Sequence, residues 1–252
     1  MIEKVGSFSI VEVKEVKRRP IVICGVPDAG LVGAIAASYL IKKLEMEEVG
    51  YLDSDELPPV LVFHKGKPAM PIRLYEKNGV VVIISEVAIP LSLMLDLAKV
   101  IVSWAVKKEV QRIIVPGGVP VPNRIEIEKP AVVGAAVLDE DRELLSKLGI
   151  EALKEGFLSR IHALIAKECF KRKVPCIALL AQSYLEYPDP GAAAAVLEKL
   201  GGIIGVDIDV KPLLEEEEEV RLKLRELMRK ALPTIVRQSR KGYEYTTPLM
   251  YA

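Results

Sequence analysis

The stretch from Ile21 to Leu44, IVICGVPDAGLVGAIAASYLIKKL, constrains the fold more than any other segment of the chain. Ile21 to Cys24 is a short, unbroken apolar run, the pattern of a strand covered on both faces. Gly25 to Gly30 supplies a tight turn. Leu31 to Leu44 then carries apolar residues all round its first turns and ends on Lys42 and Lys43, which suit a helix C-terminus. Strand, turn and helix in this order predict an α/β fold, and later segments repeat the plan.

The turn invites comparison with two phosphate-binding patterns and satisfies neither. Gly25 and Gly30 have P-loop spacing, but Leu31 and Val32 stand where a lysine and a hydroxyl would reach phosphate and magnesium. In the dinucleotide frame, Asp28 replaces the first glycine before Gly30 and Gly33, and a carboxylate there opposes a pyrophosphate. Asp53, about 20 residues past Gly33, stands where a ribose-binding acid would, which keeps a nucleotide reading open. The structural reading has Asp28 capping the helix while the glycines permit close packing of helix on sheet.

Further along, Ser7 to Val16 alternates as an outer strand or hairpin arm, and Glu48–Leu52, Val60–Phe63, Ile72–Tyr75 and Val80–Ser85 read as strands. Asn78-Gly79 marks a hairpin, so the sheet is mixed. Leu91–Lys108 has helical apolar spacing, with Trp104 at its edge. Arg112–Val115 is a buried strand, and Pro116-Gly117-Gly118-Val119-Pro120 reads as a second glycine-rich turn. Ala131–Leu138 and Val174–Ala181 read as strands, Ser159–Arg172 as a helix, and Ala192–Leu200 as an alanine-rich helix stopped by Gly201-Gly202. Asp28, Gly30, Gly117, Gly118 and Gln182 thereby form a candidate ligand loop at strand carboxyl ends, with Glu86, Asn123, Arg124 and Tyr184 nearby. No spacing picks out a catalytic set.

Equal numbers of basic and acidic residues, 35 of each, provide no bulk field for nucleic acid or an anionic membrane. Three cysteines, Cys24, Cys169 and Cys176, fit small buried hydrophobes in a reducing cytoplasm. No apolar run approaches the roughly 18 residues of a membrane helix. His64 and His162 lack partners at metal-ligand spacing, so neither a metal nor a cofactor is expected. Abundant Lys, Glu and Arg beside two Asn and three Gln lean towards a thermophile.

The last quarter differs in character. Pro212–Ala231 reads as a charged amphipathic helix, with glutamates opening it, basic residues closing it, and a seam of Leu213, Val220, Leu224, Leu227, Met228 and Ala231. The expected organisation is a core domain over 1–210, the helix over 211–232, and a flexible tail over 233–252. That tail ends in Met250-Tyr251-Ala252, a hydrophobic residue, a tyrosine and a free carboxylate, a form that suits delivery into a partner's pocket.

The segments GVPDAGLVGAIAASYLI, VPGGVPVP and SYLEYPDPGAAAAVLEKL, together with the long Glu/Lys helix, resemble archaeal members of the proteasome assembly chaperone 2 (PAC2) family. The resemblance implies a three-layer α/β/α sandwich with a mixed, mostly parallel sheet, similar to phosphorylase and hydrolase folds but with no established catalytic residues. It also implies that Met250-Tyr251-Ala252 matches the tail by which such proteins dock on the 20S proteasome α-ring. In that docking the Ala252 carboxylate pairs with a pocket lysine, Tyr251 inserts between adjacent α subunits, and Met250 fills an apolar groove. One short peptide binds weakly, so a homo-oligomer is expected, with a second chaperone chain as a further partner. The competing expectation is a nucleotide- or nucleoside-processing, phosphorylase-like enzyme built on the strand-end loops.

Overall fold

Continuous apolar runs become the central strands of the protein, seen in a computed structural model that describes residues 2–215. In chain order the first elements are β1 (Ile2–Val5), β2 (Phe8–Glu12), β3 (Ile21–Gly25), α1 (Val32–Lys43), β4 (Glu47–Asp53), β5 (Val62–His64), β6 (Lys67–Ala69), β7 (Ile72–Lys77) and β8 (Val80–Ser85). There follow α2 (Leu91–Lys107), β9 (Arg112–Pro120), β10 (Val132–Ala136), α3 (Asp139–Lys147), β11 (Glu151–Ala152), α4 (Arg160–Arg172), β12 (Cys176–Ser183) and α5 (Pro190–Ile204). Residues 211–215 begin a further helix. The remainder of the expected 211–232 helix and the 233–252 tail lie outside the described residues.

Ten strands form one sheet in the order β1-β2-β4-β7-β8-β3-β9-β12-β10-β11, and β5 and β6 pair apart from it. The centre, β8-β3-β9-β12, is parallel. Antiparallel pairs flank it, because β1-β2 and β7-β8 are joined by turns too short for a crossover, the second made by Asn78 and Gly79 with φ of 50° and 79°. Alternation along the central strands supplies two cores. Val22, Cys24, Val81, Ile83, Ile113 and Val115 face α2 and α4, while Ile23, Val82, Ile84, Ile114 and Ile177 face α1 and α5. This is the expected mixed, three-layer α/β/α arrangement, but the sheet is not mostly parallel as expected: five of its nine strand pairs are antiparallel and four parallel.

Several local expectations change. Gly117 and Gly118 lie within β9, paired with Leu180 and Ala181 of β12, and do not form a turn. Gly201-Gly202 likewise does not stop its helix: α5 runs to Ile204 and ends at Gly205, φ 70°. A Cβ on Gly201 would fall 2.6 Å from the Val206 carbonyl, so this glycine admits the returning chain. Val60–Phe63 contributes to the separate β5-β6 hairpin rather than the main sheet. α3, which the apolar pattern did not predict, opens on Asp139, Glu140 and Asp141 and ends with Lys147, charges that favour its dipole.

Trp104 is fully buried rather than at the helix edge, and its indole donates to Glu12 Oε1 at 2.7 Å. Lys108 Nζ donates to Glu12 Oε2 and to the Val16 carbonyl, both at 2.8 Å. This buried pair ties α2 to the N-terminal strands. Replacing Glu12 with Ala leaves the Lys108 ammonium buried without its carboxylate and should cost about 3–5 kcal/mol in denaturant unfolding. Lys14→Ala, which breaks an exposed pair with Glu47, should cost no more than about 1 kcal/mol.

Candidate functional site

The strand-turn-helix unit meets β9 through one carboxylate. Asp28 Oδ1 accepts from the Gly33 amide in the first turn of α1 at 3.2 Å, and Oδ2 accepts from the Gly118 amide at 2.6 Å. The N-cap residue of α1 is Leu31 and not Asp28 as expected, yet the Asp28 side chain, three residues before it, bonds the first-turn amide and also reaches a strand 90 residues away. Amides at a helix N-terminus and a glycine-rich strand are the groups that cradle phosphate in nucleotide proteins. Here the chain's own carboxylate takes both.

The glycines make this approach possible. A Cβ on Gly33 would lie 2.6 Å from the Pro116 carbonyl, and one on Gly25 would lie 2.2 Å from the Ala37 Cβ. A Cβ on Gly117 would lie 2.1 Å from His162 Nε2 and 2.6 Å from Asp28 Oδ2. His162, buried on α4, places Nε2 3.3 Å from the Pro116 carbonyl and 3.8 Å from Asp28. Burial pushes the Asp28 carboxyl up to about 7 against the pull of its backbone hydrogen bonds, and it pushes the His162 imidazole below its usual range. His162 could not be assigned to this cluster from sequence, since no local pattern links it to Asp28.

A second buried pair closes the neighbouring loops. Arg124 Nε and Nη2 donate to Asp189 Oδ2 and Oδ1, both at 2.8 Å, and Arg124 Nη1 donates to the Ile127 carbonyl. Asp189 caps α5 through the Ala192 amide, accepts from the Tyr184 amide, and donates its own amide to the Gly30 carbonyl. Gly30, at φ 65°, is therefore fastened to the α5 loop, and the Arg124 guanidinium lies over the Tyr184 ring. Asp189 before Pro190 is a readable helix-start signature, and it starts α5 two residues ahead of the expected Ala192. Gln182, the remaining member of the expected ligand loop, accepts from the Ala131 amide at 3.0 Å and so binds β12 to the approach of β10. Asp28, Gly30, Gly117 and Gly118 converge; Gln182 is spent beside them.

A groove of ≈ 620 Å³ runs along the outer side of α1. Its lining includes Leu31, Ile35, Tyr39 and Lys42, with His64 and Glu86 near one end and Leu213 also present. Glu86 is ion-paired with buried Arg73 and lies 2.9 Å from His64 Nε2, so the acid is neutralised in place. Beside it the β5-β6 hairpin exposes Phe63, and Leu61 precedes it, also exposed. Among the described residues no group of His, Cys, Asp and Glu could hold a metal ion, and no helix is long and apolar enough to cross a membrane. Cys24, Cys169 and Cys176 are all free and buried.

Two outcomes follow from the Asp28 cluster, and a third from α5. The folded protein holds a proton on Asp28 that the unfolded chain has released between pH 3.8 and about 7. Its contribution is thus fully present below pH 3.8 and is lost as pH rises through about 7. The stability of the native protein relative to Asp28→Asn should fall across that window by on the order of 4 kcal/mol, read from denaturant midpoints at each pH. Gly117→Ala should destabilise by about 1–3 kcal/mol through overpacking, partly recovered by His162→Ala. Gly202→Ala, which meets nothing closer than Leu148 Cδ2 at 3.5 Å, should instead stabilise α5 by about 0.5–1 kcal/mol.

The family profile described as "PAC2 family" matches residues 22–228. Among solved structures, Pyrococcus furiosus PbaA, an archaeal homolog of proteasome-assembly chaperone, is 32% identical with a TM-score of 0.79, the match covering 91% of this chain and 97% of that one. Pyrococcus furiosus PbaB, an archaeal proteasome activator, shares the fold at 24% identity and a TM-score of 0.76, with 88% and 98% covered. An uncharacterized protein of Methanocaldococcus jannaschii is 29% identical over 240 residues, 95% of this chain and 98% of its own length. With a family profile spanning residues 22–228, most of its length, the chain belongs to the PAC2 family.

Proposed function

We propose that this protein is a non-enzymatic proteasome assembly chaperone or activator-like adaptor that docks Met250-Tyr251-Ala252 into pockets of the 20S proteasome α-ring. The observation that carries this reading is PAC2 family membership, joined by the segment Met250-Tyr251-Ala252, in which a hydrophobic residue precedes a tyrosine. Likeness to PbaA, an archaeal homolog of proteasome-assembly chaperone, supports the same direction. Against the phosphorylase-like alternative stands Asp28, whose carboxylate already takes the two amides a phosphate would need.

A three-residue tail buries little surface, so several copies on one closed homo-oligomer would raise the effective concentration for each later contact. The α-ring, itself a ring of repeated pockets, is the kind of partner on which such avidity works. The reading places the protein in the cytoplasm with its partner.

Co-sedimentation with archaeal 20S proteasome tests it. The intact protein should pellet with the particle, and deleting residues 250–252 should abolish this while leaving the unfolding temperature unchanged. Retained binding after the deletion would sink the tail mechanism.

A further inference from the structure

The end of the sheet where the central strands begin is basic, although the chain as a whole is balanced. β3, β9 and β12 are parallel neighbours, with Ile21 beside Arg112 and Cys176 beside Ile113, so their entry turns share one end. Those turns hold Lys17, Arg18 and Arg19 before β3 and Lys173 before β12, all exposed. A strand spacing of about 4.8 Å puts the two turns within roughly 10 Å of each other. The turn into β9 joins them: the Arg19 amide donates to the Lys108 carbonyl, that of Gln111 to Pro20, and that of Ile113 to Pro175. The nearby acids are already committed. Glu109 pairs with Arg18, Glu3 with Lys107, and Glu168 with Lys171 and Arg172. Lys17, Arg19 and Lys173 have no acidic partner among the described residues.

Local structure accounts for only some of these charges. Lys107, Lys171 and Arg172 stand in the last turns of α2 and α4, where a cation suits the helix dipole. Arg19 and Lys173 differ. They occupy left-handed backbone, φ 60° and 55°, and Lys173 ends α4, a place commonly given to glycine. A charged side chain is kept where glycine would relieve the backbone. Beside them the last turns of α2 and α4 expose Val106 (44%) and Phe170 (69%). An exposed aromatic ring among unpaired cations suits protein recognition, in which an apolar centre is desolvated and a charged rim orients the partner.

We infer that this end of the molecule is a second docking surface, one that takes an acidic protein surface with an apolar pocket for Phe170. A nucleic acid fits less well, because Glu109 stands among the exposed cations and the balanced chain supplies no long-range field to draw a polyanion. For its partner the inference rests on the docking reading above, the 20S particle. A weak tail contact and a weak charged contact on one particle reinforce each other.

Co-sedimentation of the full chain with archaeal 20S proteasome, at about 50 mM and about 300 mM salt, reads the two contacts apart. Arg19→Gly combined with Lys173→Gly removes two cations and relaxes both backbones. Its unfolding temperature should hold, while binding at low salt falls about tenfold and loses much of its salt dependence. A large fall in unfolding temperature would instead assign the two residues to the fold and overturn the inference. Phe170→Ala should weaken binding about tenfold at both salts. Native-like binding by either variant would overturn the surface and leave the tail standing. Salt-sensitive binding that survives deletion of residues 250–252 would sink the tail and leave the surface standing. An intact chain that fails to pellet would overturn the docking reading and this contact with it. A DNA duplex of about 20 base pairs is the counter-probe. If the chain bound it more tightly than the 20S particle, the partner would be a polyanion and the acidic-protein assignment would fall.

Discussion

One buried carboxylate joins the elements that define the polar end of the sheet. Asp28 receives an amide from the first turn of α1 and another from β9, so helix, turn and strand are set by a single carboxyl group. Hydrogen bonds to a charged acceptor contribute about 1.5–3 kcal/mol each, which offsets part of the cost of burying it. That geometry requires backbone to approach backbone, and it explains why Gly25, Gly33 and Gly117 are all positions where a Cβ would collide. The glycine cluster that suggests a phosphate cradle is the clearance needed for an internal substitute.

The neighbouring loops follow the same logic. Arg124 and Asp189 are a fully buried, two-point pair whose remaining valences hold the Ile127, Tyr184 and Ala192 backbone. Such a pair contributes little net stability over an apolar equivalent, but losing either member leaves a charge stranded. Its effect is to fix loop geometry at the strand ends.

How much of this was legible depended on whether the signal was local. β3, β8 and β12 are uninterrupted apolar runs, α2 has a 3.6-residue period, and Asn78-Gly79 specifies its own hairpin, so all were readable. Gly117-Gly118 and Gly201-Gly202 misled because glycine signals a turn locally, whereas here it answers to atoms far away in sequence: His162 and Asp28 in one case, the returning Val206 in the other. α3 was missed because it is short and strongly charged: its few apolar residues fall on one side, but there are too few of them to mark a helix, and its boundaries are set by charge. A bond from Asp28 to the start of α1 could be foreseen from its place before a helix; its bond to Gly118 and its proximity to His162 could not. Met250-Tyr251-Ala252 lies outside the described residues.

The order of the strands carries a last consequence for assembly. The ten-stranded sheet is bounded by β1, four residues with Glu3 ion-paired to Lys107, and by β11, only two residues long. Unpaired strand borders are templates on which another chain can add by hydrogen bonding, and a short or charge-tethered border removes that option. Among the described residues, neither margin offers a row of free amides and carbonyls long enough to continue the sheet into a neighbour. Continuation of the sheet from copy to copy is thereby disfavoured at both margins, which removes the open-ended, fibre-forming mode of association.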